Sequence, residues 1–422
     1  MQIIYDFIFF LVGFFYLPYY FFKKKSLKGL SSRIKTDFYL DPYKPRIWLH
    51  AASVGEVMAA RLLLRILQER YAGKEVVITT ITPTGQKIAQ EIVGKEKTSF
   101  LPLDLSFFVR DFVEKINPCL FILLETEIWP NLIFSLKKKN VPIVLVNGRL
   151  SHSSFRGYSL VKRFLAPLLN KIDLFLVQTP NDRQRFIKLG TNPDRIKITG
   201  NMKFDILNAV NFKKDIDDLL LRKMGIDYSE KLLVAASTHS PEEKFILHIY
   251  KKLKFLFPFL RLLIAPRHPQ RSFKVSAWVR SYGFKARLIS DIDNGGSDKN
   301  EIFILDSIGK LLDFYAIADI VFVGGSLVKK GGHNILEPAL FKKPIIFGPY
   351  MFNFQDVSDL FLREQAAIMV HNAHQLYKAL QDLLSQPSRG MVLGEHAYQL
   401  IQKNQGVTLQ NLKWIESIFS GI

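Results

Sequence analysis

Short, almost wholly apolar runs alternate along this chain with segments whose apolar positions recur every three or four residues. Strands are predicted at 47–51, 76–80, 120–124, 143–146 and 174–177, and again at 232–236, 262–265, 302–305, 320–323 and 344–347. Helical spacing covers 57–68, 86–93 and 131–138. Continuous apolar strands joined by helical crossovers mean a parallel sheet covered on both faces. The alternation runs twice, separated by the polar stretch Thr199-Gly-Asn-Met-Lys-Phe-Asp205. Two Rossmann-like α/β domains are expected, 23–205 and 206–422, facing each other across a cleft of the kind that holds substrates. The last amphipathic stretch, about 409–419, is expected to pack back on the first domain.

Residues 3–22 break the pattern: they are almost all apolar or aromatic, and Lys23, Lys24, Lys25 and Lys28 follow at once. As a helix this run would cover roughly the 30 Å of a hydrocarbon core. Residues 1–22 are therefore expected to form an anchor helix in the inner membrane. The lysines would hold the rest of the chain on the cytoplasmic side. Asp6 and Pro18 leave two geometries open, a single span or a helix lying in the interface. A cleaved signal peptide fits poorly, with no basic start and no small-residue cleavage site.

The net charge of +20 sharpens that reading. It calls for an anionic membrane surface, an anionic substrate or nucleic acid. No zinc spacing, helix-turn-helix signature or RNP-type motif supports nucleic acid. The single cysteine, Cys119, lies in an apolar run and is expected to pack as a small hydrophobe on a buried strand. The histidines show no ligand spacing. The Asp-x-Asp pairs Asp215/Asp217 and Asp291/Asp293 lie in polar surroundings and read as solvated carboxylates. The chain is expected to need neither metal nor cofactor.

Candidate chemistry collects where strands end. Ser53-Val-Gly-Glu56 turns from a strand into an apolar helix, leaving Glu56 alone at the carboxyl edge of a sheet, where ligands bind. Thr79-Thr-Ile-Thr-Pro-Thr-Gly85 offers four hydroxyls, Thr84 among them, as a lip for a polyhydroxylated substrate. In Glu125-Thr-Glu-Ile-Trp-Pro-Asn131, Glu125 and Glu127 stand beside Trp129, a pairing suited to hydroxyls and a sugar face. In the second half, Ser237 and Thr238 are placed to cap a helix or to hold an anion. Pro266-Arg-His-Pro269 fixes Arg267, whose planar fork suits phosphate. Gly324-Gly-Ser326 and Gly331-Gly-His-Asn334 bracket a basic loop, with a helix expected to open near Asn334 and Glu337 one turn in. Gly325 and Ser326 are candidate phosphate contacts there. This is neither a Walker loop nor a dinucleotide fingerprint.

Taken in order, these segments resemble the 3-deoxy-D-manno-octulosonic acid (Kdo) transferase family. Asn147-Gly-Arg-Leu-Ser151, Lys203-Phe-Asp205 and Ser237-Thr-His239 belong to the same ordered set. The resemblance implies a GT-B glycosyltransferase with CMP-Kdo as donor and a lipid A precursor as acceptor. It implies an inverting, metal-independent reaction. It places the general base on Glu56 and assistance to the transition state on Glu125 and Lys203. Donor contacts fall on Pro266, Arg267, Ile308, Gly309, Lys310, Asn334, Ile335, Leu336 and Glu337. Ser53, Gly55, Thr84, Glu127, Trp129, Ser237, Thr238, Gly325 and Ser326 are further phosphate or acceptor contacts. The chain departs from the family in Lys310, where an acidic residue is usual, and in Lys330, where arginine is usual. Two alternatives compete. Another GT-B-type enzyme, such as a nucleotide-sugar epimerase, shares the second-half motifs but needs no anchor. A basic membrane-surface binder needs neither Glu56 nor the glycine loops.

Overall fold

The computed structural model describes residues 5–7, 9, 11, 44–209, 216–292 and 298–419. The chain divides into two compact units, Met1–Asp205 with Gly406–Ile422, and Ile206–Gln405. Each is built on a seven-stranded sheet whose described pairings are all parallel.

The first sheet contains β1 (Arg46–His50), β2 (Glu75–Thr80), β3 (Thr98–Phe100), β4 (Pro118–Leu124), β5 (Ile143–Gly148), β6 (Leu174–Val177) and β7 (Ile196–Ile198). Their order is β3-β2-β1-β4-β5-β6-β7, so the chain reverses direction across the sheet between β1 and β4. Leu49 pairs with Ile78 on one side and Ile122 on the other, and all three are fully buried. Such strands have apolar neighbours on both faces, which is why they read as unbroken hydrophobic runs. One core, around Trp48, Phe121 and Phe175, fills one side of the sheet. The other, around Leu63, Ile122 and Val144, fills the opposite side.

The second core contains a distant piece of chain. Helix Val407–Phe419 buries Val407, Leu412, Ile415 and Phe419 against the helix Val54–Arg70 side of the first unit. Its N-terminal amides are capped from elsewhere: Asp205 accepts from Gly406 N at 2.7 Å and from Thr408 N at 2.6 Å. A carboxylate there favours both the orphan amides and the helix dipole. Tyr71 adds a hydrogen bond to Glu416 at 3.3 Å.

The second sheet contains β8 (Lys231–Thr238), β9 (Leu260–Pro266), β10 (Lys285–Leu288), β11 (Glu301–Ile304), β12 (Ile320–Val323), β13 (Ile345–Phe347) and β14 (Ile368–Met369), in the order β10-β11-β9-β8-β12-β13-β14. Tyr250, Leu262, Phe322 and Ile346 share its main core. All ten strands expected from the apolar runs are present. The four that were not expected, β3, β7, β10 and β14, are the edge strands of the two sheets, of two to four residues. Short edge strands carry too little apolar pattern to announce themselves. Cys119 lies on β4 but is only half-buried, with Sγ donating to Arg46 O at 3.1 Å.

The expected anchor lies mostly outside the described residues, and among those residues no helix is long and apolar enough to cross a membrane. Its described part docks on the first unit. Asp6 accepts from Asn131 Nδ2 at 2.6 Å and from Ser106 N at 3.2 Å, while Phe7 and Leu11 are exposed. Asp215 and Asp293 also lie outside the described residues. No group of three or more metal-ligating side chains occurs among those described.

Candidate active site

Glu56 is the third residue of helix Val54–Arg70, whose N-cap is Ser53. The side chain folds back over the helix start. Its Oε2 accepts from Ala52 N at 2.8 Å, and its Oε1 accepts from Ser53 Oγ at 2.8 Å. These bonds favour the ionised carboxylate, as would the helix N-terminus. Burial opposes them and wins: Glu56 is 8% exposed, and desolvation, followed by Glu125, lifts it to about 7. The helix start therefore does not hold Glu56 in the ordinary carboxylate range, contrary to what its position alone suggests. A base that titrates near neutrality is matched to taking a proton from a hydroxyl.

Two further carboxylates come from the turn after β4. Glu125 adopts a left-handed backbone, φ 55°, a conformation that side chains other than glycine seldom hold without a reason. Lys203 Nζ stands 3.8 Å from Glu125 Oε1. The lysine's loop is pinned, since Asn147 Oδ1 accepts from Met202 N at 3.0 Å. Asn147, at the end of β5, is itself left-handed and fully buried. Glu127 Oε2 accepts from Trp129 Nε1 at 3.2 Å and faces His50 Nε2 at 3.4 Å. Behind His50, Thr79 Oγ1 lies 2.9 Å from His50 Nδ1 and accepts from Trp48 Nε1 at 2.9 Å. Glu127 also raises Glu56, as the smallest of its influences.

The hydroxyl lip is mostly spent on the fold. Thr79 and Thr80 are fully buried, and Thr80 Oγ1 is hydrogen-bonded to the Gln86 side-chain amide at 2.8 Å. Thr82 caps helix Pro83–Val93, leaving Thr84 exposed. A Cβ on Gly55 would meet only Ser53 Oγ, at 3.9 Å, an ordinary contact, so its small size is not forced by packing.

In the second unit, Pro266 ends β9 and Arg267 follows it, exposed. Ile308, Gly309 and Lys310 form an exposed turn after β11, with Gly309 at φ 88°. Asn334 Nδ2 donates to Glu337 Oε1 at 3.1 Å, and burial raises Glu337 while Asn334 and Arg267 pull it down. The helix here is five residues, Leu336–Leu340, starting two residues later than expected. Ile335 and Leu336 are core side chains, so they reach a ligand only through their backbone.

Two expectations in this unit need correction. Ser237 and Thr238 do not cap the next helix, whose N-cap is Pro241 without a side-chain bond. Thr238 is buried and donates to Glu243 Oε1 at 3.2 Å. The amides of Gly325 and Ser326 do not face an open anion site, because Glu242 fills it. Its carboxylate accepts from Gly325 N at 2.7 Å, Ser326 N at 3.1 Å, Leu327 N at 2.9 Å and His239 N at 2.9 Å. The Ser326 hydroxyl is buried and accepts from Gly348 N at 2.8 Å. Glu242 and His50 had no assigned role from the sequence. A glutamate at the first position of a helix looks like dipole compensation, and a single histidine at a strand end looks like core.

Two parallel α/β units with reactive loops at the carboxyl ends of their strands define a GT-B-like protein. Solved structures share this fold: a glycosyltransferase from Rickettsia africae ESF-5 (14% identity, 89% of this chain and 99% of that one, TM-score 0.57), and a UDP-GlcNAc 2-epimerase from Neisseria meningitidis (12%, 87% and 100%, TM-score 0.51). The family model of 3-deoxy-D-manno-octulosonic-acid transferase (kdotransferase) matches residues 26–206. The 3-deoxy-D-manno-octulosonic acid transferase of Haemophilus influenzae is 37% identical over 87% of this chain and 85% of its own length. The chain belongs to the Kdo transferase family.

Proposed function

We propose that this chain transfers Kdo from CMP-Kdo to a lipid A precursor, with inversion and without a metal. The observation that carries the mechanism is Glu56, buried at a helix start and lifted to about 7. Its carboxylate removes the proton of an acceptor sugar hydroxyl. The oxygen then attacks the anomeric carbon of Kdo, and the bond to the phosphate breaks with its electrons on CMP. Glu125, which acts electrostatically on Glu56, and Lys203, 3.8 Å from Glu125, balance the charge that develops. Glu127, held by Trp129 and His50, presents a fixed acceptor to the sugar. Arg267 and the 308–310 turn serve the nucleotide in the second unit. Gly325 and Ser326 help only by shaping the loop, since Glu242 takes their amides.

A lipid acceptor is supported by the surface of the first unit. Leu160, Val161 and Phe164 are exposed, and Arg156, Lys162 and Arg163 lie exposed around them. No acidic residue occurs between Asp111-Phe-Val-Glu114 and Asp173 except Glu125 and Glu127 at the candidate site. Apolar side chains ringed by cations suit an anionic membrane surface. The test incubates the chain with CMP-Kdo and lipid A precursor in vesicles and reads product masses. Products heavier by one or more Kdo residues support the reading, and the number of additions comes from the same spectrum. Unchanged acceptor with intact, folded protein contradicts it.

A further inference from the structure

The second unit gathers three histidines to which the transfer reading gives no role. His239 follows β8, His268 follows β9, and His333 lies in the loop after β12. The Nε2 atoms of His239 and His333 are 3.0 Å apart. Their rings are within 6° of parallel, with centroids 5.2 Å apart. With the nitrogens that close, the longer centroid distance means the rings meet edge to edge. One nitrogen must therefore carry a hydrogen and the other accept it. Two N–H groups cannot face each other at this distance. The glycine loop closes over the pair: a Cβ on Gly325 would meet His333 Nε2 at 3.0 Å and His239 Cδ2 at 3.3 Å.

The surroundings keep the pair from gaining a second proton. Burial is the largest influence on both rings, and it pushes His333 down to about 3. Arg267 and His268 add to this at His333; His268, Lys330 and Arg271 do so at His239. Glu243 alone pulls His239 the other way. Glu242 accepts from the His239 amide but is committed to the glycine loop. Arg271 is already paired, to Glu243 Oε1 at 2.6 Å. Arg267, His268 and Lys330 are exposed. So a half-buried neutral histidine pair lies beside the exposed cations Arg267 and Lys330, a place whose field would change on binding an anion.

We propose that the His239–His333 pair takes up a proton from solvent when the phosphate of a nucleotide binds beside Arg267. The added proton goes to the free Nδ1 of the ring whose Nε2 donates, so the pair keeps its N–H···N bond and carries one positive charge toward the anion. This inference rests on the reading that the second unit holds a cytidine monophosphate. Physically, the phosphate charge offsets the repulsion from Arg267 and Lys330, so the charged imidazole becomes more favourable than it was. The same charge would then face the phosphate as it leaves the sugar.

Calorimetry tests this with the full chain and CMP, in buffers of different ionisation heat, at about pH 8, where a free phosphate monoester is already a dianion. The expected result is a net proton uptake on binding CMP, and none with cytidine, which lacks the phosphate. His239→Gln and His333→Gln should still bind CMP, but with uptake reduced to near zero. Far-ultraviolet circular dichroism checks that each variant is folded. CMP binding without proton uptake in the unmutated chain overturns the proposal, whatever the variants do. Equal uptake with cytidine, or undiminished uptake in both folded variants, also overturns it. No CMP binding at all would instead overturn the nucleotide reading on which it rests.

Discussion

At the scale of single residues, the chemistry turns on Glu56. Its folded-state value near 7 lies above that of an unfolded glutamate, so the folded protein holds this proton more tightly. Two consequences follow. Transfer that needs the ionised carboxylate should lose about tenfold in rate per pH unit well below 7, giving an acid limb centred near 7 in a pH–rate profile. A limb centred near 4.5 would mean Glu56 is not the base. The same shift bears on stability. Sign follows from proton binding: between about 4.5 and 7 the folded state binds more protons than the unfolded one, so this group's contribution falls as pH rises through that window. Glu56→Gln removes the desolvated charge, and its amide can donate to Ser53 Oγ while its carbonyl accepts from Ala52 N. It should raise the melting temperature at about pH 8, by an amount corresponding to a free energy on the order of 3 kcal/mol at most, and the gain should vanish near pH 4. A gain independent of pH would contradict the burial account. The position of Glu56 was legible in the sequence, because a lone carboxylate after Ser53-Val-Gly is conspicuous. Its elevated value was not, because the balance between four nearby groups and burial exists only once the turn after β4 is folded beside it.

Elements position these residues by close approach. Gly324, after β12, lies against the end of β8: a Cβ there would meet Thr238 Cα at 2.7 Å and Ser237 O at 2.8 Å. These are backbone atoms that cannot swing aside, so Gly324→Ala should destabilise the second unit by about 2 kcal/mol, an overpacking cost read from denaturant midpoints. Glu242 matters more. Four amides converge on its carboxylate, and an amide side chain would turn an N–H against some of them. Glu242→Gln should cost about 3 kcal/mol or more, a loss expected for a buried, hydrogen-bonded charge. A change below 1 kcal/mol would show that the loop does not depend on it. Here the sequence misled for a physical reason. A glycine-rich loop with open amides and one filled by a carboxylate have the same local pattern. The filler, Glu242, opens the helix after β8, the strand beside β12 in the sheet but far from it in sequence. Ile335 and Leu336 likewise look like ligand-loop residues but are core. The central strands, by contrast, were plain from their apolar runs, since burial on both faces dictates their composition.

For the whole molecule, the first unit is completed by the far end of the chain. Removing residues 406–422 would strip Val407, Leu412, Ile415 and Phe419 from its core and leave Asp205 without the amides it caps. Truncation should therefore unfold or aggregate the first unit at temperatures where the full chain is stable, as judged by limited proteolysis. The sequence suggested this from an amphipathic final stretch, but its partner surface appears only in the fold. The basic, apolar patch belongs to the same scale. Leu160→Ser combined with Phe164→Ser should weaken binding to anionic vesicles by at least about tenfold, since each side chain contributes about 1.5–3 kcal/mol when fully buried. Unchanged vesicle binding would assign membrane contact elsewhere, the N-terminal segment first.

The most direct measurement compares the unmutated chain with Glu56→Gln in transfer from CMP-Kdo to a lipid A precursor, read as product mass over time, with CMP binding measured on the same preparations. A general base at Glu56 predicts transfer reduced by about a hundredfold or more in the variant, with CMP binding unchanged. Near-normal transfer by a folded Glu56→Gln protein would contradict the account.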